Sequence, residues 1–209
     1  GKDARNVAGY NLLLPLGDYE KTVYQGVNGA IFALLALDAG GYEVPANPDA
    51  KTQATRELYV QKILDAQLAD GGWNMAGETS DADLTAMALQ ALAGYTTQKT
   101  VQAAVEKGVS CLSSMQRTDG GFMTGGSETC ESNAQVIVAL VELGLSLDDA
   151  RFVKNGWTVL DALLTYANTN GSFQHTAGSG ANQMATEQAL YALAALKLAE
   201  SGKTLYKME

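Results

Sequence analysis

The sequence predicts an all-α chain of repeated helical hairpins, and three observations carry that prediction. The tetrapeptide Asp70-Gly71-Gly72-Trp73 recurs as Asp119-Gly120-Gly121-Phe122 and, more loosely, as Asn170-Gly171-Ser172-Phe173. Their aromatic residues stand about 50 residues apart, a period that belongs to repeat architectures. Each copy also separates a stretch with charged residues on one face from a following stretch rich in Ala and Leu. Finally, aromatics make up only 7% of the residues and prolines number only 3, a composition that favours helix over strand. A helix apolar nearly all round is buried on most sides, whereas one charged along a face lies outside. Alternating the two kinds gives two layers of stacked hairpins, and enough curvature per repeat closes such a row into a ring.

The elements follow in order. Residues 1–21 hold a short helix and the apolar patch Tyr10 to Leu14, broken at Pro15 and Gly17. A helix over 22–37 carries small residues, Gly26, Gly29, Ala30, Ala33 and Ala36, that let neighbours approach closely. Gly40-Gly41 stops it, and Pro45 and Pro48 keep the chain in a loop. Residues 52–67 form an amphipathic helix ending at the Asp70 turn. Ser80 or Asp81 caps the next, which runs to about Ala93 and stops at Gly94. A helix over 99–116 leads to the Asp119 turn, and an Ala/Val-rich helix over 129–143 follows it. Residues 148–167 make one helix or two short ones before the Asn170 turn, and a helix over 183–200 closes the chain.

A chain of 209 residues suffices for one repeat domain, 1–209, with a substantial core. Its net charge of -9 argues against nucleic acid, which asks for a basic face. No apolar run is long enough to span a bilayer. The absence of an initiator Met and of a signal peptide makes Gly1 a processing site or a chosen boundary. Cys111 and Cys130 read as unpaired core thiols or as a disulfide between neighbouring helices, which would suit an extracellular protein.

Gln67-Leu68-Ala69-Asp70-Gly71-Gly72-Trp73 resembles the glutamine–tryptophan repeat of the terpenoid cyclase and protein prenyltransferase superfamily. Gln116-Arg117-Thr118-Asp119-Gly120-Gly121-Phe122 is similar, and the third copy has Ala167 where the Gln belongs. The resemblance covers most of the chain from about residue 20. It implies an α/α toroid, with inner and outer helices around a cavity, and a structural role for Gln67, Trp73, Gln116, Phe122 and Phe173. The superfamily also holds complement thioester domains, cobalamin carriers and uncharacterised repeats of bacterial surface proteins. About four hairpins fit into 209 residues, fewer than the closed rings of that family use. The expectation is therefore an open arc from a longer protein. Its apolar ends would be covered by a second copy in a homodimer or by the missing parts of the same protein.

Two motifs could carry chemistry. Asp81-Ala82-Asp83-Leu84-Thr85-Ala86 is similar to the Asp-x-Asp-Asp-Thr-Ala signature of class II terpene cyclases, in which the middle acid, here Asp83, protonates an alkene or epoxide. Such an acid needs an apolar cavity and a neighbouring carboxylate to stay protonated. Leu84 breaks the signature, and the other reading of Asp81 and Asp83 is a helix cap with first-turn carboxylates. Glu128-Thr129-Cys130 is similar to the zinc-binding Asp-x-Cys of prenyltransferases, but the acid is Glu. The one histidine, His175, stands about ten residues before the position the family gives its ligand. No thioester motif, phosphate loop or Ser/His/Asp pattern is visible, and no metal or cofactor is implied.

A polar rim remains. Asn28, Asp81, Asp83, Glu131, Asn133, Gln183 and Glu187 fall near the starts of the apolar helices, where polar groups over an apolar interior would describe a small-molecule or glycan site. The sequence thus supports a non-catalytic ligand-binding or interaction module of a bacterial extracellular or surface protein. The alternatives are a cyclase or prenyltransferase-type enzyme with Asp83 as acid, and a carbohydrate-active protein using rim carboxylates such as Asp83 and Glu131.

Overall fold

The computed structural model describes residues 3–206. The chain divides into two compact units. Among the described residues, one holds 3–66 together with Tyr206, and the other is Gln67–Leu205.

The first unit contains α1 (Tyr19–Thr22), α2 (Val27–Ala39) and α3 (Arg56–Asp65). The predicted helix over 22–37 is interrupted at Gly26, whose φ of 69° ends a short 3-10 turn before α2 begins. Gly29 is small for a reason: a Cβ there would lie 1.9 Å from Thr22 O. Thr55 caps α3 by accepting the Leu58 N–H at 3.2 Å. The fully buried Tyr59 crosses the unit and donates its hydroxyl to Leu16 O at 2.7 Å.

The second unit contains α4 (Ala82–Leu92), α5 (Lys99–Met115), α6 (Cys130–Glu142), α7 (Val159–Leu164) and α8 (Gln183–Ala199). Apolar α6 packs against both α4 and α8, while α5 covers α4 and α7 covers α6. The sequence explains the layering. α5 buries Val101, Val105, Gly108 and Leu112, one helical stripe, and turns its charged positions outward. α6 buries nearly everything from Cys130 to Val141. Gly108 lets α5 approach, since a Cβ there would come within 2.8 Å of the Trp73 ring and 2.9 Å of Leu89. A glutamine relay joins the three apolar helices. Gln90 Nε2 donates to Gln135 O at 3.0 Å and to Gln135 Oε1 at 2.9 Å, and Gln135 Nε2 donates to Gln188 Oε1 at 3.1 Å.

All three Gly turns have one backbone plan. Gly71, Gly120 and Gly171 take φ values of 94°, 80° and 84°, which L side chains resist. The preceding Asp70, Asp119 and Asn170 each accept the N–H two residues on, at 3.3, 3.1 and 3.1 Å. Gln67 Nε2 donates to Gly71 O and to Ala104 O on α5, both at 2.8 Å. Gln116 Nε2 repeats this with Gly120 O at 2.9 Å and Phe152 O at 2.8 Å. At the third turn, where Ala167 has no amide, Asn168 Nδ2 donates instead to Ser172 Oγ at 3.0 Å. Trp73, Phe122 and Phe173 are buried, and their N–H groups donate to Thr85 Oγ1, Asn133 Oδ1 and Thr186 Oγ1 at 2.9, 2.8 and 2.9 Å.

The all-α, toroid-type expectation is corrected. The described residues are mostly helical but mixed, with two small antiparallel sheets. β1 (Met123–Thr124) pairs with β2 (Ser127–Glu128), and β3 (Phe173–Gln174) pairs with β4 (Ala181–Asn182). At the first turn, Trp73 and Asp81 form a single antiparallel bridge. The physical reason is the return path from each Gly turn to its apolar helix. Gly125 and Gly126, at φ 55° and 82°, make the two-residue reversal that a tight hairpin needs. In the 148–167 stretch, the second of the two predicted options holds. A 3-10 turn, Ala150–Phe152, precedes α7, with a reversal at Lys154–Trp157 between them. Among the described residues, no helix is long and apolar enough to cross a membrane.

Candidate functional site

Three of the carboxylates singled out in the sequence, Asp81, Asp83 and Glu131, meet where α4 and α6 begin side by side. Asp81 is the N-cap of α4 and accepts the Leu84 N–H at 3.0 Å, while its own N–H donates to Trp73 O at 2.8 Å. Thr124 of β1 donates its hydroxyl to the other Asp81 oxygen. Two residues on, Asp83 is half-buried, and its Oδ1 is enclosed without a hydrogen-bond partner among the described residues. Burial pushes its carboxyl up to about 6, the nearby Ser132 hydroxyl opposes the rise, and the charges of Asp81 and Glu131 add to it.

Glu131 holds the matching position in α6 and is only 8% exposed. His175 Nδ1 lies 3.0 and 2.9 Å from its two carboxylate oxygens. The Cys130 N–H donates to the His175 carbonyl at 3.0 Å, so backbone and imidazole both pin this loop to the start of α6. Sequence reasoning weighed His175 only as a metal ligand and missed this pairing. No local pattern signalled it, because His175 lies 44 residues from Glu131 in the chain; the matched register of Asp83 and Glu131, each two residues past its N-cap, pointed only to the two acids.

The remaining rim residues of the second unit lie elsewhere. Asn133 holds the Phe122 N–H and lines a different cleft. Gln183 and Glu187 pair with each other on the exposed face of α8, Nε2 to Oε1 at 2.9 Å. Asn28 belongs to α2 in the first unit. The zinc-like trio does not assemble. Glu128 pairs with Arg117 at 2.6 Å, and the buried Cys130 thiol points to Ala185 O at 3.8 Å. Among the described residues, no three His, Cys, Asp or Glu side chains are grouped to hold a metal ion. Cys111 and Cys130 are both free and buried, and burial raises both thiols, Cys130 to about 12.

A scan against protein-family models and a comparison with characterised proteins both find no match. A half-buried acid close to neutral in strength, beside a carboxylate–imidazole pair, can donate or accept one hydrogen bond from an incoming hydroxyl or amine. It can also hold a proton near neutral pH.

Proposed function

We propose that the chain is a non-catalytic ligand-binding module of a bacterial extracellular or cell-surface protein, with Asp83, Glu131 and His175 forming the polar end of a small-molecule or glycan site. The observation that carries this reading is the enclosed Asp83 Oδ1, which no described residue satisfies, since a buried polar atom left unpaired is costly. The place of Leu84 also supports a binding role over cyclase chemistry. Where the cyclase signature has its last acid, this chain puts an aliphatic side chain into the core, 5% exposed. The test is a small-molecule and glycan screen read by amide and imidazole NMR shifts. Binding should perturb His175 and the first turns of α4 and α6 and should be lost in Asp83→Ala. Hits that leave those resonances unmoved would refute the assignment.

One observation favours a second reading. A carboxyl pushed up to about 6 is partly protonated near neutral pH, as an acid catalyst requires. Turnover of a polyprenyl substrate abolished by Asp83→Asn would establish that reading. Glycan hydrolysis lost on Glu131→Gln would point instead to a carbohydrate-active protein. Exposed Met184 and Leu190 on α8 are the apolar positions on which a second copy would rest in the homodimer reading.

A further inference from the structure

A second, separate opening lies beside the Asp119 turn. It has a volume of about 160 Å³ and is lined by Arg117, Asp119, Phe122, Asn133, Trp157 and Tyr166, among others. Cavities near 150 Å³ admit one benzene-sized ring, and pockets for drug-sized ligands start at about 300 Å³. The space therefore fits a single six-membered ring.

Its walls hold unused hydrogen-bonding groups on buried residues. Asn133 is 1% exposed and its oxygen accepts the Phe122 N–H, while its NH2 donates to no described residue. Tyr166 is 7% exposed, and its hydroxyl makes no hydrogen bond to a described residue. Arg117 Nε is buried without a partner among the described residues, although Arg117 Nη2 lies 2.6 Å from Glu128 and 3.4 Å from Asp119.

Trp157 supplies an open aromatic surface, 47% exposed. Its placement has a structural cause as well. It precedes the Thr158 cap of α7, the position from which a hydrophobic staple reaches toward Ala162, and both residues line the cleft. That position leaves nearly half of the residue facing solvent. The loop is rigid, because Lys154 and Trp157 exchange backbone hydrogen bonds at 2.9 and 2.8 Å around Asn155 and Gly156, both at positive φ. Gly121 does not need glycine for its φ. A Cβ there would reach into the cleft, 3.3 Å from Asp119 Oδ1 and 3.6 Å from Asn133 Oδ1.

The charge pattern selects the ligand. An anion would meet Asp119 and Glu128, and a cation would meet the Arg117 guanidinium. Mixed donors and acceptors around an amphipathic indole suit a neutral ring that carries hydroxyls on its edge and C–H groups on its face. We propose that this cleft binds one pyranose ring of a neutral sugar, stacked on Trp157 and hydrogen-bonded by Tyr166 and Asn133. The proposal is independent of the Asp83 site.

The experiment titrates the whole chain with methyl glycosides of glucose, galactose, mannose and N-acetylglucosamine, following the Trp157 indole resonance. Tetramethylammonium and acetate serve as charged comparators. At least one glycoside should shift the indole at millimolar concentration. Trp157→Ala should weaken binding about tenfold or more, and Tyr166→Phe, which removes one oxygen from a buried ring, by several-fold. Asp83→Asn should leave the affinity within about twofold. No response to any glycoside, a response only to a charged comparator, or undiminished binding in Tyr166→Phe would each overturn the proposal.

Discussion

Replacing Asp83 with Asn should make the protein more stable, and the gain should depend on pH in a defined window. The substitution keeps the shape and removes the charge. Burial raises the carboxyl from the ordinary value of 3.8 to about 6 in the folded chain. At about 1.4 kcal/mol per pH unit, that displacement is worth about 3 kcal/mol. The sign follows from linkage. The group's folded value exceeds its unfolded one, so its favourable contribution is complete below 3.8 and is lost as pH rises through about 6. Asn does not titrate, so the variant escapes that loss. Partial exposure of the carboxyl reduces the full figure, and the advantage expected at about pH 8 is about 1–3 kcal/mol. At about pH 4 the two proteins should differ by less than about 0.5 kcal/mol. Urea unfolding of both proteins between these limits gives the difference directly, because most other titrating groups contribute equally and cancel. A difference that stays flat with pH, or an Asn variant less stable at about pH 8, would show that Asp83 is not held in a desolvated, partly protonated state.

Three further outcomes are expected. Gln116→Ala leaves Gly120 O and Phe152 O without their shared donor and should cost about 1–3 kcal/mol in chemical denaturation, with a loss below about 0.5 refuting the clamp. Gly120→Ala should destabilise more than Gly171→Ala. Both force an L residue to positive φ, but only the first drives a Cβ to 2.5 Å from a carbonyl, Thr158 O, so equal midpoints would argue against that close approach. Native protein should leave both thiols unreacted with a chromogenic disulfide reagent near neutral pH. Burial disfavours their thiolates, and two should react after unfolding.

The repeat was legible because it is written in residues with few substitutes. Only glycine readily adopts the φ at 71, 120 and 171, and an Asp or Asn before it closes the turn, so the pattern survives in plain text. The alternation of apolar and amphipathic helices was legible for a similar reason, since burial on most sides demands an unbroken apolar run. The strands were missed because two-residue pairings carry no hydrophobic alternation. Gly125-Gly126 between Thr124 and Ser127 was the available sign of the first hairpin. Part of the candidate site was readable. Asp81, Asp83 and Glu131 do come together, because they start adjacent helices in matched register. Their partner His175 arrives from a loop more than forty residues away, a distance across which spacing says nothing. The Trp157 cleft was invisible because its lining comes from the Asp119 turn, α6 and α7, and no local pattern joins them.

The three apolar helices of the second unit divide labour between two positions, and magnitudes separate scaffold from site. The N-caps Asp81, Thr129 and Asn182 accept the N–H groups of Leu84, Ser132 and Ala185 at 3.0, 3.1 and 3.0 Å. Four residues past each cap, Thr85, Asn133 and Thr186 hold the aromatic of the preceding turn. Those six side chains complete the repeat. The position two residues past the cap carries Asp83, Glu131 and Met184 in turn, so the architecture does not dictate it. A carboxylate there gains about 0.3–1 kcal/mol from the helix dipole. For Asp83, the burial cost implied by its raised pKa, about 3 kcal/mol before discounting for exposure, exceeds that gain. Helix capping therefore does not account for Asp83. Folding alone would favour Asn at this place, and a residue held against the fold's own preference is where a binding or proton-holding role is to be sought.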